Sequence, residues 1–204
     1  MKIAVLADEF AFAELSSAGE GKTEWIRVTS IDEVKVSSGF DAFFNMQSDA
    51  YKYQYHGLKL PVFINSVTHT LNKVSMPDHV LRINGWRGFV KLSKWELSGD
   101  IQSSHISVLH HLNKEFSIQP DVSGFISARI IAMIINEACF AKEQGVSTQE
   151  EIDIAMKLGT GYPAGPFEWL DTIGALQVFE LLSALAETNP VYTPSALLTL
   201  KCEL

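Results

Sequence analysis

The stretch Leu158-Gly159-Thr160-Gly161-Tyr162-Pro163-Ala164-Gly165-Pro166-Phe167-Glu168-Trp169-Leu170-Asp171 constrains this chain more than any other. Its glycines and prolines fit one local plan, in which a helix stops, the backbone turns and a new helix begins. Gly159 closes the incoming helix, and Pro166 suits the first turn of the outgoing one, where a missing N–H leaves no bond unmade.

On both sides of that pivot the apolar residues keep a helical period. Ser103 and Ser104 cap a helix to about Asn113, and a polar connector from Glu115 to Ser123 leads into the longest one, Gly124–Gln144. There Arg129, Asn136 and Glu143 recur every seventh residue as a narrow polar stripe on an otherwise apolar, central helix. Gly145 ends it in the left-handed conformation. Ser147 and Glu150 form a capping box for the next helix. The helix that starts at Pro166 breaks near Gly174 and resumes to about Glu187, and Thr193 with Pro194 opens the last one.

Before residue 99 the pattern differs. Short apolar bursts, Lys2–Leu6, Trp25–Thr29, Asp41–Asn45, Pro61–Asn65, Val80–Ile83 and Val90–Leu97, predict strands covered on both faces, as in a parallel sheet. Glu9–Ala18 reads as a helix between the first two. The expected fold class is α/β plus all-α, with a sheet domain over residues 1–99 and a helical domain over 100–204.

The net charge is −8 without a block of like charge, which argues against nucleic acid or an anionic membrane as partner. Cys139 and Cys202 have no metal-ligand spacing, and Cys139 falls in an apolar helix as core filler. The apolar runs Ile3–Ala7 and Ile130–Ile135 are too short for a signal peptide or a membrane span of roughly 20 residues. The expectation is a soluble, cytoplasmic protein.

The pivot segment, the helix Ser123–Gly145 and the stretch Thr193-Pro194-Ser195-Ala196-Leu197-Leu198 together resemble the C-terminal domain of the 3-hydroxyacyl-CoA dehydrogenases, over roughly Pro120 to Lys201. Phe63-Ile64-Asn65-Ser66 and Pro77-Asp78-His79-Val80 are similar landmarks in the first half. The resemblance implies a Rossmann-like domain, here shortened, that holds NAD in the family. It also implies a helical domain that completes the acyl-CoA cleft and forms a dimer interface.

The motif residues of the first half depart from that pattern. A dinucleotide needs Gly-x-Gly-x-x-Gly after the first strand, so that pyrophosphate reaches the amides of the helix N-terminus. Here Ala7-Asp8-Glu9-Phe10-Ala11 contains no glycine, and Asp8 is placed to cap the helix itself. A like charge about 4 Å from a phosphate costs about 4 kcal/mol at an effective dielectric of 20. The second strand ends in Thr29-Ser30-Ile31, with the acid, Asp32, displaced.

The resemblance places Asn84, within Asn84-Gly85-Trp86-Arg87-Gly88, where the family has its catalytic His, and Glu96 near the Glu that orients it, with Lys94 competing for that alignment. The family's Ser aligns with Val67, for which Ser66 or Thr68 compensates; its Asn aligns with Ala128, leaving only Arg129 beside it. An amide such as Asn84 hydrogen-bonds a carbonyl but has no proton to shuttle near neutral pH. Asn84, Glu96, Ser66 and Arg129 are the candidate site residues. His79, just before the fifth strand, leads a weak set of histidines. No cofactor-binding or metal-ligating residues are expected.

The expectation is therefore a degenerate dehydrogenase-like protein without NAD-dependent oxidoreduction. It would bind an acyl-CoA-like small molecule or serve as a scaffold, and form a homodimer through the helical domain. The alternative is an active NAD-dependent 3-hydroxyacyl-CoA dehydrogenase of fatty acid metabolism.

Overall fold

The computed structural model describes residues 1–18, 23–37 and 39–202. The chain divides into two units, Met1–Val122 and Ser123–Leu204.

In the first unit the elements run β1 (Lys2–Leu6), α1 (Glu9–Ser16), β2 (Glu24–Val28), α2 (Ile31–Val36), β3 (Ala42–Asn45), β4 (Val62–Asn65), β5 (Val80–Ile83), β6 (Lys94–Ser98), α3 (Ser103–His111) and β7 (Glu115–Ile118). They build one sheet in the order β2-β1-β3-β4-β5-β6-β7. The strands from β2 to β5 are parallel, β6 runs antiparallel to β5, and β7 runs parallel to β6. Alternate residues of each strand enter separate cores. Ile3, Val5, Phe44, Phe63, Leu81 and Leu97 pack on one face, and Ala4, Leu6, Phe43, Val62, Ile64 and Val80 on the other. Burial on both faces explains why these strands read as continuous apolar runs. This is the expected Rossmann-type sheet. The chain leaves β1 to one side for β2 and returns to the other side for β3, which opens a crevice outside the carboxyl ends of those strands.

Four expectations need correction here. The unit boundary falls after Val122 rather than at residue 99, because α3 packs against the sheet core and β7 pairs with β6 in register from Lys94↔Glu115 to Leu97↔Ile118. That strand occupies the segment expected as a polar connector; its polar residues, Glu115, Ser117 and Gln119, alternate with Phe116 and Ile118, the period of a half-exposed edge strand. The sixth strand starts at Lys94, not Val90, since Val90–Ser93 form turns. The cap of α3 is Gln102, paired with His105, rather than Ser103 or Ser104.

The second unit contains α4 (Ile126–Glu143), α5 (Gln149–Thr160), α6 (Pro166–Ile173), α7 (Ala175–Ala186) and α8 (Ala196–Cys202). The polar stripe of α4 is a seam of hydrogen bonds. Arg129 donates to the Ser123 carbonyl, Asn136 donates to Thr193 O and accepts from Ser195 N, and Glu143 accepts from Leu197 N. The pivot is equally specified. Asp153 of α5 accepts from the Phe167 and Glu168 amides at the start of α6. A Cβ on Gly165 would lie 2.3 Å from that carboxylate, so the backbone can approach it only as glycine. Gly174, at φ 101°, separates α6 from α7, whose axes differ by 99°.

The caps shift by one or two residues from expectation. Thr148 with Glu151 makes the box of α5 in place of Ser147 with Glu150, Gly161 rather than Gly159 supplies the left-handed close, and Ser195 rather than Thr193 accepts the Leu198 amide. Among the described residues no single helix is long and apolar enough to cross a membrane.

Candidate functional site

The carboxyl ends of β1, β3, β4 and β5 form the place where a sheet of this topology takes a ligand. At the end of β1, Asp8 has extended backbone and accepts the Ala11 amide at 2.7 Å, so the first turn of α1 is capped by its own chain. The Ala11 amide holds the Asp8 carboxyl below its usual range, against some burial, with help from Arg87.

Arg87 belongs to the loop after β5. Its Nη2 lies 2.9 Å from Asp8 Oδ2, and its guanidinium sits 4.8 Å from the centroid of the Phe10 ring. One turn further along α1, the buried Glu14 accepts the Gly88 amide with both oxygens, at 2.8 and 3.0 Å, and pairs with Lys91 at 3.4 Å. The loop from Asn84 to Lys91 is thus strapped onto α1. Arg87 also changes the electrostatic argument made from sequence, because the charge of Asp8 is largely compensated. What stands against a phosphate at this turn is the occupied amide rather than net repulsion. Asp32 lies in the first turn of α2, where it pairs with Lys35 at 3.3 Å, not at the end of β2.

At the end of β3, Asn45 is fully buried between Tyr55 Oη, to which it donates at 2.8 Å, and the Gln47 amide, which it accepts at 3.1 Å. Burial pushes the Tyr55 hydroxyl well above its usual range. At the end of β4, Ser66 donates its hydroxyl to His69 O at 2.7 Å and thereby closes its own turn.

Asn84 follows β5, and its Nδ2 lies 3.5 Å from Glu96 Oε2, at the outer limit of a hydrogen bond, while its Oδ1 accepts from Trp86 N at 3.4 Å. Gly85 lies against Asn65 so closely that a Cβ would meet it at 2.7 Å. The structure brings Asn84 and Glu96 together, and Ser66 lies at the end of the neighbouring strand β4. Arg129 lies in the helical unit, where its guanidinium holds Ser123 at the entry to α4. The Asn84 amide can hydrogen-bond a carbonyl oxygen but has no proton to shuttle near neutral pH.

The histidines stand elsewhere. His79 precedes β5 and so lies at the opposite end of the sheet from this crevice. Its carbonyl faces His105 Nε2 at 3.0 Å, and since His105 Nδ1 accepts from Gln102 N, the ring proton is on Nε2. Burial lowers the His105 pKa. His69 stacks on Tyr51 at 3.7 Å, and burial followed by Lys73 lowers its pKa too. Among the described residues no three His, Cys, Asp or Glu side chains cluster as metal ligands.

Sequence reasoning missed Glu14, Arg87 and the buried pair of Arg82 with Asp121, at 2.7 Å. Arg82 also donates to the carbonyls of Ser66, Val67 and Val122. An arginine inside the apolar run Val80–Ile83 was the available signal, since a buried guanidinium requires partners.

Comparison with known proteins bears on both units. Residues 124–203 match the family model described as 3-hydroxyacyl-CoA dehydrogenase, C-terminal domain. The mitochondrial hydroxyacyl-coenzyme A dehydrogenase of Mus musculus is 42% identical over 78 residues, which cover 37% of this chain and 25% of that protein. The 3-hydroxybutyryl-CoA dehydrogenase of Clostridioides difficile is 33% identical over 126 residues, 59% of this chain and 45% of that one. The chain thus spans less than half the length of either curated relative. Among solved structures, FadB2 of M. tuberculosis shares the fold, with a TM-score of 0.75 at 17% identity over 99% of this chain and 93% of that one.

Proposed function

Residues 124–203 belong to the C-terminal domain family of the 3-hydroxyacyl-CoA dehydrogenases, and from that premise we propose that this chain is a dehydrogenase-like binding or scaffolding protein that has lost NAD-dependent oxidoreduction. Its ligand is an acyl-CoA-like small molecule, and its helical unit pairs with a second copy. The observation that carries the reading is the first turn of α1. Its Ala11 amide is taken by Asp8, Asp8 is tied to Arg87, and residues 7–11 include no glycine to let a diphosphate approach the backbone. These residues do not fit a dinucleotide, and no step is assigned to one. The exchange of a proton carrier for Asn84 points the same way. For pairing, α4 exposes Ile126 and Ile130 one turn apart, and α5 exposes Ile154 and Leu158 in the same manner.

Purified protein supplied with NADH and acetoacetyl-CoA tests the reading. The expected result is NADH oxidation no faster than the background without protein; oxidation above that rate overturns it and favours the active dehydrogenase. Thermal unfolding supplies the second measurement, since a ligand at 100 times its dissociation constant adds about 2.7 kcal/mol. An upward shift with acetoacetyl-CoA and none with NAD is expected.

A further inference from the structure

At the β6–β7 edge of the sheet a lysine is buried without a counter-ion among the described residues. Lys114 is 7% exposed. Its Nζ donates to Val90 O at 3.0 Å and Leu92 O at 2.7 Å, and lies 5.1 Å from the centroid of the Trp95 ring. It forms no ion pair with a carboxylate among the described residues. Two carbonyls use two of its three N–H donors, and the third has no acceptor among the described residues. Buried charges are ordinarily paired, because carbonyl dipoles replace hydration only in part. Burial accordingly lowers the Lys114 pKa, with no neighbouring charge acting on it.

The same lysine lines a depression of about 500 Å³ together with Lys94, His110, Asn113, Glu115 and Phe116. Four of these six side chains carry nitrogen donors, and the amide of Asn113 is presented from a left-handed residue at φ 52°. We propose that this depression binds a phosphate group. The lining has ammonium groups and no arginine. An ammonium binds a phosphate as a compact point charge with several N–H donors, and two such groups beside an imidazole and an amide suit an oxyanion. Glu115 on the rim limits the charge the site accepts, which favours a single phosphate over a polyphosphate. The site is separate from the crevice at α1 and independent of the function proposed above.

The test is a titration at constant ionic strength, with sodium chloride exchanged for sodium phosphate and, in a second arm, for glycerol 3-phosphate. Backbone amides of Asn113 to Phe116 are followed by NMR. A saturable shift with either compound is expected, and the tighter of the two tells whether the natural source is free phosphate or a monoester. Lys94→Ala, an exposed change, should weaken binding about tenfold through loss of one charge-assisted contact. Lys114→Met should abolish it; if that variant does not fold, Lys94→Ala decides alone. An absence of saturable shifts with both compounds, or equal affinity in Lys94→Ala, overturns the proposal.

Discussion

In the helical unit, residues singled out by pattern are held by backbone groups and close packing, whereas in the sheet unit Asp8 and Asn84 are met by charged side chains. Asn136 and Gly165 stand in motifs, and each makes the contact that explains its motif, with the Thr193–Ser195 backbone and with Asp153. Asp8 and Asn84 stand where the resemblance places a cofactor loop and a base, and each meets a charged side chain of its own unit, Arg87 and Glu96. The difference teaches that a motif can preserve packing in one region while the corresponding positions of another region are recruited into local structure. A substitution in either region should therefore register first as stability.

The largest effect is expected from Asp121→Ala. It removes the carboxylate facing the fully buried Arg82, and breaking a buried pair in this way costs about 3–5 kcal/mol. Urea unfolding followed by circular dichroism measures it. A loss near 1 kcal/mol, the scale of an exposed pair, would show that the sheet unit does not depend on this clamp.

Next comes a contrast inside the pivot of the helical unit. Gly165→Ala forces a Cβ against Asp153 and should cost about 3 kcal/mol. Gly159→Ala meets nothing within 4 Å in a helical position and should gain about 0.5–1 kcal/mol. Equal effects at both would break the claim that packing, rather than flexibility, explains the motif.

Asp8→Ala removes a cap and should cost about 1 kcal/mol. The Asp8 carboxyl is held below its ordinary value of 3.8, so its contribution is present above that pH and lost as pH falls through the folded value. The difference between variant and parent should vanish in acid.

The smallest effect separates the units by pH. All six histidines lie at or before His111. His69 and His105 have pKa values lowered from 6.5, chiefly by burial, so their stabilisation is complete above that value and is lost as pH falls below it. Amide exchange compared at about pH 7.5 and about pH 5.5 should show protection lost within residues 1–122 and unchanged within 123–202.

The legible part of the fold was the part written in local chemistry. Short apolar runs placed β1 to β5 and all but the start of β6, and the stripe of Arg129, Asn136 and Glu143 marked the seam of α4. The seventh strand was hidden because an edge strand with one wet face looks like a polar connector. Caps moved by a residue where two candidates adjoin, as Ser147 and Thr148 do, since either hydroxyl satisfies the same amides. Of the candidate site, alignment left Lys94 and Glu96 in competition, and it is the fold that sets Glu96 beside Asn84. The grip of Glu14 and Arg87 was not readable, because it joins residues more than 70 positions apart, and nothing local to either records the other.

Fluorescence titration of the full chain with NADH tests the central claim most directly. With Ala11 capped by Asp8, and Asp8 held by Arg87, emission should rise linearly with NADH and show no saturable component. Saturable binding that is lost when Ala11 is replaced by proline, which removes the amide at issue, would contradict the account.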